Sequence, residues 1–141
     1  MNNIVAFNHA LADATRWRIV QLLFNEPLCV CEVADILDMP QSSVSSHIQV
    51  IKKGGLLESE KCGKWQYYRV RENYRGLLAT MGGFFEISPA THSQLKADAK
   101  RAAKRLAERD GSCCSLPTAL TKLTPLTSPT FTKHTTNKWK P

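Results

Sequence analysis

Five cysteines stand in the chain, at Cys29, Cys31, Cys62, Cys113 and Cys114. Their number is odd, and two pairs lie close in sequence, Cys29 with Cys31 and Cys113 with Cys114. In a reducing compartment such clusters indicate thiolate chemistry rather than structural disulfides. Thiolates are soft ligands and select soft ions. A helix is expected over residues 30–37, which places Cys29 and Cys31 at its start, where backbone N–H groups lower a thiol's pKa. In a regular helix, residues i and i+2 point about 200° apart. Both sulfurs then grip one ion only if the start of the helix unwinds. The bland alternative is that Cys29 and Cys31 are small buried hydrophobes and that the vicinal pair is incidental. Cys62 reads as an exposed, incidental residue at a hairpin tip.

A second constellation is polar. Gln41, Ser42, Ser43, Ser45, Ser46 and His47 cluster near the start of a helix expected over residues 41–53. Small polar side chains let a helix approach the floor of a DNA major groove closely. Gln bonds adenine in a bidentate way, and Ser contacts bases or phosphates. Lys61 and Lys64 flank the hairpin tip, with Arg69 further along, placed to touch a phosphate strand or the minor groove. The competing reading is a solvated helix face. His47 reads as a backbone contact or core-edge residue rather than a metal ligand, and Trp65, Tyr67 and Tyr68 as hairpin packing rather than base stacking. The net charge of +7 agrees with a polyanionic partner without requiring one.

These groups need a scaffold, and hydrophobic periodicity supplies one. A first helix is expected over about 3–12, with Ile4, Phe7, Ala10 and Leu11 on one face. Asp13 or Thr15 caps a second, over about 15–24, which carries Trp17, Val20 and Leu23 and ends at Asn25-Glu26-Pro27. Val30, Val33, Ala34 and Leu37 form a narrow apolar stripe on the third. Asp38-Met39-Pro40 breaks the chain before the fourth, where Val44, Ile48 and Ile51 face inward and Gly54-Gly55 stops the helix. The period then changes to two. Residues 56–61 and 64–70 read as strands joined at Cys62-Gly63. Helices over about 72–86 and 91–109 complete the folded part. Helix, three-residue turn, helix and hairpin is the order of a winged helix-turn-helix. The expected fold class is mainly α with a small β-hairpin wing.

The expected organisation is a DNA-binding and dimerisation domain over 1–88, a basic helix over 89–110, and a flexible Thr/Pro-rich tail over 111–141. That tail contains four lysines and no acid. No targeting signal and no apolar run of the roughly 20 residues that a membrane span needs is visible. The expectation is a soluble, cytoplasmic protein without a membrane partner.

At these residues the chain resembles the ArsR/SmtB family of metal-sensing repressors, specifically its arsenic-responsive branch. The similar segments are residues 12–19, 28–33 and 41–48, together with Gly54-Gly55-Leu56-Leu57 and residues 63–69 in the wing. They cover roughly residues 10–72, about half of the chain. The resemblance implies a homodimer that binds an inverted-repeat operator and leaves it on binding As(III). Phe7, Leu11, Leu77, Met81 and Phe84 match the family's dimer interface, although each also reads as monomer core. In the resembling branch a Cys-x-Cys motif is often followed by a third cysteine three residues later. Cys29 and Cys31 match the first two positions, and Ala34 occupies the third.

Trivalent arsenic prefers three sulfurs. Cys113 or Cys114 would supply the missing one, or form a separate site, or a solvent ligand would complete the pair. The family's zinc-sensing branch uses His and acidic ligands on the helix after the wing. Residues 72–86 contain no His and only Glu72 and Glu86, which argues against that kind of sensor. Three other readings stay open. The first is a redox or other soft-metal (Sb, Cd, Zn) thiol sensor on the same DNA module. The second is a thiol enzyme, which lacks a phosphate-cradling loop and leaves the serine-rich helix unexplained. The third is a protein-interaction module.

Overall fold

A computed structural model describes residues 1–111; Cys113, Cys114 and the rest of the expected tail lie outside them. The elements run α1 (Asn2–Leu11), α2 (Ala14–Asn25), β1 (Leu28–Cys29), α3 (Val30–Leu37), α4 (Gln41–Lys53), β2 (Leu57–Cys62), β3 (Trp65–Val70), α5 (Glu72–Phe84) and α6 (Ser93–Ala107). A 3-10 turn at Glu108–Gly111 follows α6. Among the described residues no helix is long and apolar enough to cross a membrane.

Local chemistry sets the boundaries that matter. Asp13 is extended, and its carboxylate accepts a 2.9 Å bond from the Arg16 N–H, so Asp13 rather than Thr15 caps α2. That bond holds the Asp13 carboxyl below the usual carboxylate range. Asp38 ends α3 in the left-handed region, at φ 53°, and the Met39 N–H returns to the Ala34 carbonyl at 3.0 Å. Pro40, with φ fixed near −60°, then precedes the first turn of α4. The three-residue break between the two helices is therefore as the sequence implied.

One core joins these helices to the sheet. Ile19, Val20 and Leu23 of α2, Val33 and Ile36 of α3, and Val44, Ile48 and Ile51 of α4 are essentially inaccessible. Leu56 and Val70 close the same cluster from the wing. The sheet has the order β1–β3–β2, all antiparallel, with Leu28 opposite Tyr68 and Cys29 opposite Tyr67. The expected hairpin is thus a three-stranded sheet. β1 is only two residues long, too short to reveal a period of two. Because β3 is central, adjacent Tyr67 and Tyr68 are both buried, on opposite faces. Gly63, at φ +59°, lies in the turn between β2 and β3.

The basic helix α6 docks on its own chain. Leu95, Asp98, Ala102 and Arg105 recur at spacings of three and four and fall on one face, and Arg109 follows in the 3-10 turn beyond it. The Arg18 guanidinium grips buried Asp98 through two bonds of 2.7 and 2.8 Å. Arg105 pairs with Asp35 at 3.0 Å, and the Arg101 guanidinium reaches the Ile36 carbonyl at 3.4 Å. The helix is therefore strapped to α2 by Arg18 of that helix and to α3 by its own Arg101 and Arg105.

Gly54 marks the crossing of α1 and α4. A Cβ there would lie 2.8 Å from the Ala10 Cβ, 2.9 Å from Leu56 Cδ1 and 3.1 Å from the Ala6 carbonyl oxygen. Gly54→Ala is expected to destabilise the fold by about 1–3 kcal/mol through overpacking. A urea titration followed by circular dichroism checks this; an unchanged midpoint would contradict the close crossing.

Candidate thiol site and nucleic-acid interface

Cys29 is not helical. It has φ −87° and ψ 167°, pairs with Tyr67 as the last residue of β1, and serves as the N-cap of α3. Cys31 lies in the first turn of that helix. The extended backbone at Cys29 turns its side chain toward that of Cys31, and the two Sγ atoms approach to 2.7 Å. The expectation that the helix start must unwind before both sulfurs meet is corrected. The 200° argument applies to two helical residues, and here only one is helical. Metal–sulfur bonds are about 2.3 Å long, so two sulfurs this close reach one ion after small side-chain rotations.

The backbone that creates this convergence is held by Glu32. Its carboxylate, with 0% exposure, accepts the Cys29 N–H at 3.0 Å. Arg109, from the turn after α6, binds the same carboxylate through both oxygens at 2.7 and 2.9 Å. It also donates to the Pro27 carbonyl at 2.7 Å. The guanidinium carbon lies 5.9 Å from the Tyr67 ring centroid. Neither Glu32 nor Arg109 was singled out by sequence. The spacing Cys29-x-x-Glu32 is that of a capping box, which is a readable signal. Arg109 is 77 residues from its partner and had none.

Cys62 is not an exposed tip residue. It is half-buried and packs with Trp65 and Cys31 around the buried pair of Cys29 and Tyr67. It closes β2 opposite Trp65, the first residue of β3. Among the described residues no group of three or more His, Cys, Asp or Glu is assembled to hold an ion.

The polar constellation lies on one element. On α4, Gln41, Ser42 and Ser46 are exposed, whereas Ser43, Ser45 and His47 are half-buried. The Ser46 hydroxyl donates to the Ser42 carbonyl at 3.1 Å. Gln49, Lys52 and Lys53 extend the exposed face. On the wing, Lys61 and Lys64 are exposed, and the Lys64 ammonium lies 5.2 Å from the Trp65 ring centroid. Arg69 lies nearer the root, half-buried and ion-paired with its cross-strand partner Glu58.

The apolar candidates divide. Phe7 is buried and stacks on Tyr74 of α5 with centroids 5.5 Å apart; Leu11 and Met81 are half-buried against the core. Leu77 and Phe84 are 47% and 79% exposed. Ile4, Val5 and Phe85 are exposed as well, at 62–63%.

Residues 13–59 match the family model described as bacterial regulatory protein, arsR family. An uncharacterized HTH-type transcriptional regulator of Methanocaldococcus jannaschii is 39% identical over 62 residues, 43% of this chain and 70% of that protein. The arsenical resistance operon repressor of Escherichia coli is 44% identical over 61 residues, 43% of this chain and 52% of the relative. The cadmium resistance regulatory protein of Listeria innocua is 37% identical over 70 residues, 49% of this chain and 59% of the relative. The chain thus spans only about half the length of the two metal-resistance relatives. A Mycobacterium bovis structure, described as a homodimeric winged helix-turn-helix DNA-binding domain, superposes with a TM-score of 0.58 at 29% identity. That likeness covers 60% of this chain and 80% of the other.

The burial of the thiols sets an order of reactivity. Brief alkylation of the native chain is expected to mark half-buried Cys31 and Cys62 before Cys29, which is 2% exposed. Peptide mass spectrometry after a timed iodoacetamide pulse reads this order. First labelling at Cys29 would contradict the geometry.

Proposed function

The chain belongs to the arsR family of bacterial regulatory proteins, and on that premise we propose that it is an arsenite-responsive repressor, released from operator DNA when As(III) binds Cys29 and Cys31. The observation that carries this reading is the 2.7 Å approach of the two sulfurs at the joint between wing and bracing helix. Members of the family are DNA-binding transcriptional regulators rather than enzymes, and the chain has the winged helix-turn-helix fold.

In this reading α4 enters the major groove and presents Gln41, Ser42, Ser43, Ser45, Ser46 and His47 to bases and phosphates. Lys61 and Lys64 serve the backbone beside it, with Arg69 steadying the wing root. α3 braces across the duplex. Cys29 belongs to the sheet and caps α3, so an ion held there acts on wing and bracing helix together. The coupling is reciprocal: the factor by which As(III) weakens DNA binding is the factor by which DNA weakens As(III) binding.

As(III) prefers three sulfurs, and Cys113 or Cys114 is proposed as the third donor. Support comes from Arg109, which ties the chain to Glu32, the neighbour of Cys31, two residues before residue 111. Sb(III), Cd(II) and Zn(II) share the thiophilic chemistry and compete for the same pair. A redox reading is favoured by the same sulfur approach. A peroxide would take two electrons and two protons from the thiols, leaving a Cys29–Cys31 disulfide and water.

Arsenite titrated into the complex of protein with its own promoter duplex tests the reading. Wild type is expected to dissociate. The Cys29→Ser/Cys31→Ser variant is expected to stay bound, and Cys113→Ser/Cys114→Ser to need about tenfold more arsenite. Unchanged release in the first double variant would sink the assigned site. Release by peroxide but not by arsenite would transfer it to the redox reading.

A homodimer through α1 and α5 is proposed from their exposed apolar residues, Ile4, Leu77, Phe84 and Phe85. Phe7, Leu11 and Met81 support that surface from beneath. Two copies place two α4 helices on an inverted repeat. Phe84→Glu is expected to shift the protein to monomer in sedimentation and to weaken operator binding at least tenfold. A dimer that survives this change with full affinity would place the interface elsewhere.

A further inference from the structure

Glu32 is a fully buried carboxylate one residue from Cys31, and its two partners, Cys29 and Arg109, come from parts of the chain distant from each other. It accepts the Cys29 N–H at the joint of β1 and α3, and both its oxygens are held by Arg109 from beyond α6. Arg109 spends a further donor on the Pro27 carbonyl, in the residue that leads into β1. A buried carboxylate stripped of its counter-charge is costly to keep in place and is relieved by swinging toward water. That movement removes the acceptor that fixes Cys29 in its extended conformation. If Cys29 relaxes into the helix, its sulfur turns away from Cys31 by the helical angle, and the pair no longer converges.

We infer that Arg109 is a positioning residue of the dithiol. It touches neither sulfur. By neutralising Glu32 and bonding Pro27, it holds the backbone on both sides of Cys29 in the geometry that brings the two sulfurs together before any ion arrives. Pre-organisation of this kind raises affinity by removing an ordering cost from the binding step. The inference rests on Cys29 and Cys31 forming a soft-ion site and goes beyond it by making α6 part of that site's affinity. α6 reaches α3 through an exposed contact as well, Arg105 with Asp35, which does not involve Glu32.

The test uses the full-length chain with Cys62, Cys113 and Cys114 changed to Ser, so that only the pair remains. The probe is phenylarsine oxide, which bridges two adjacent thiols, titrated by loss of free thiol. Arg109→Gln is expected to weaken probe binding at least tenfold, and Arg109→Lys, which retains the charge but loses the bidentate fit, by less. Asp35→Asn, which removes the neighbouring strap contact, is expected to leave affinity within twofold. Circular dichroism reports folding of each variant. Should Arg109→Gln fail to fold, Glu32→Gln and Arg109→Lys take its place and are expected to weaken binding in the same sense. Wild-type affinity in folded Arg109→Gln, or an equal loss in Asp35→Asn, would overturn the inference, the latter by showing that only general docking of α6 matters. Arsenite release of operator DNA is measured separately on the wild-type chain. A failure there would remove the sensor reading while leaving the dependence of the dithiol on Arg109 to be judged by the probe.

Discussion

The buried Glu32 carboxylate is the constraint on which the arrangement around the thiols depends. It caps α3, fixes the extended backbone of Cys29, and requires a cation that only a distant segment supplies. Each partner is needed for the others to keep their places. Without the cap, the first turn of α3 loses an acceptor for its N-terminal donors. Without Arg109, the interior holds an unpaired charge. The pair is thus better understood as fixing geometry than as adding stability, since burying two charges costs much of what their attraction returns.

Around that point the fold divides its labour cleanly. The apolar stripes of α2, α3 and α4 build the core and leave the opposite face of α4 free for polar side chains. The wing is rooted by the Glu58–Arg69 pair and carries exposed lysines near its tip. β1, two residues long, stitches the wing to the start of α3. Four arginines tie α6 and the turn after it to α2 and α3: Arg18 with Asp98, Arg101 with the Ile36 carbonyl, Arg105 with Asp35 and Arg109 with Glu32. Cys29 stands where sheet, bracing helix and strap converge.

Helix positions and the three-residue break were legible because they depend on local chemistry. The period of 3.6 in Val44, Ile48 and Ile51, the cap at Asp13, and the Gly54-Gly55 stop each act over a few residues. The exposed face of α4 followed from the same periodicity. The change of period after Leu56 marked the hairpin to within one residue. The cysteines were legible as a thiol pair, but the direction of their side chains was not. Applying helical spacing to the pair rotated the Cys29 sulfur to the wrong side, because a two-residue strand leaves no pattern to detect.

By itself, then, the sequence determined the order of the helices and the hairpin, the polar face of α4 and the presence of a closely spaced thiol pair. Each of these is encoded by neighbours three or four residues apart along a helix or two apart along a strand. Only the tertiary structure decided that the sulfurs converge, that Cys62 packs on the cluster of Cys29 and Tyr67, and that the basic helix α6 closes on α2 and α3. Those outcomes depend on pairs such as Glu32 with Arg109 and Cys29 with Tyr67. Their partners are 77 and 38 residues apart, and no local propensity reports which charge or which strand will arrive.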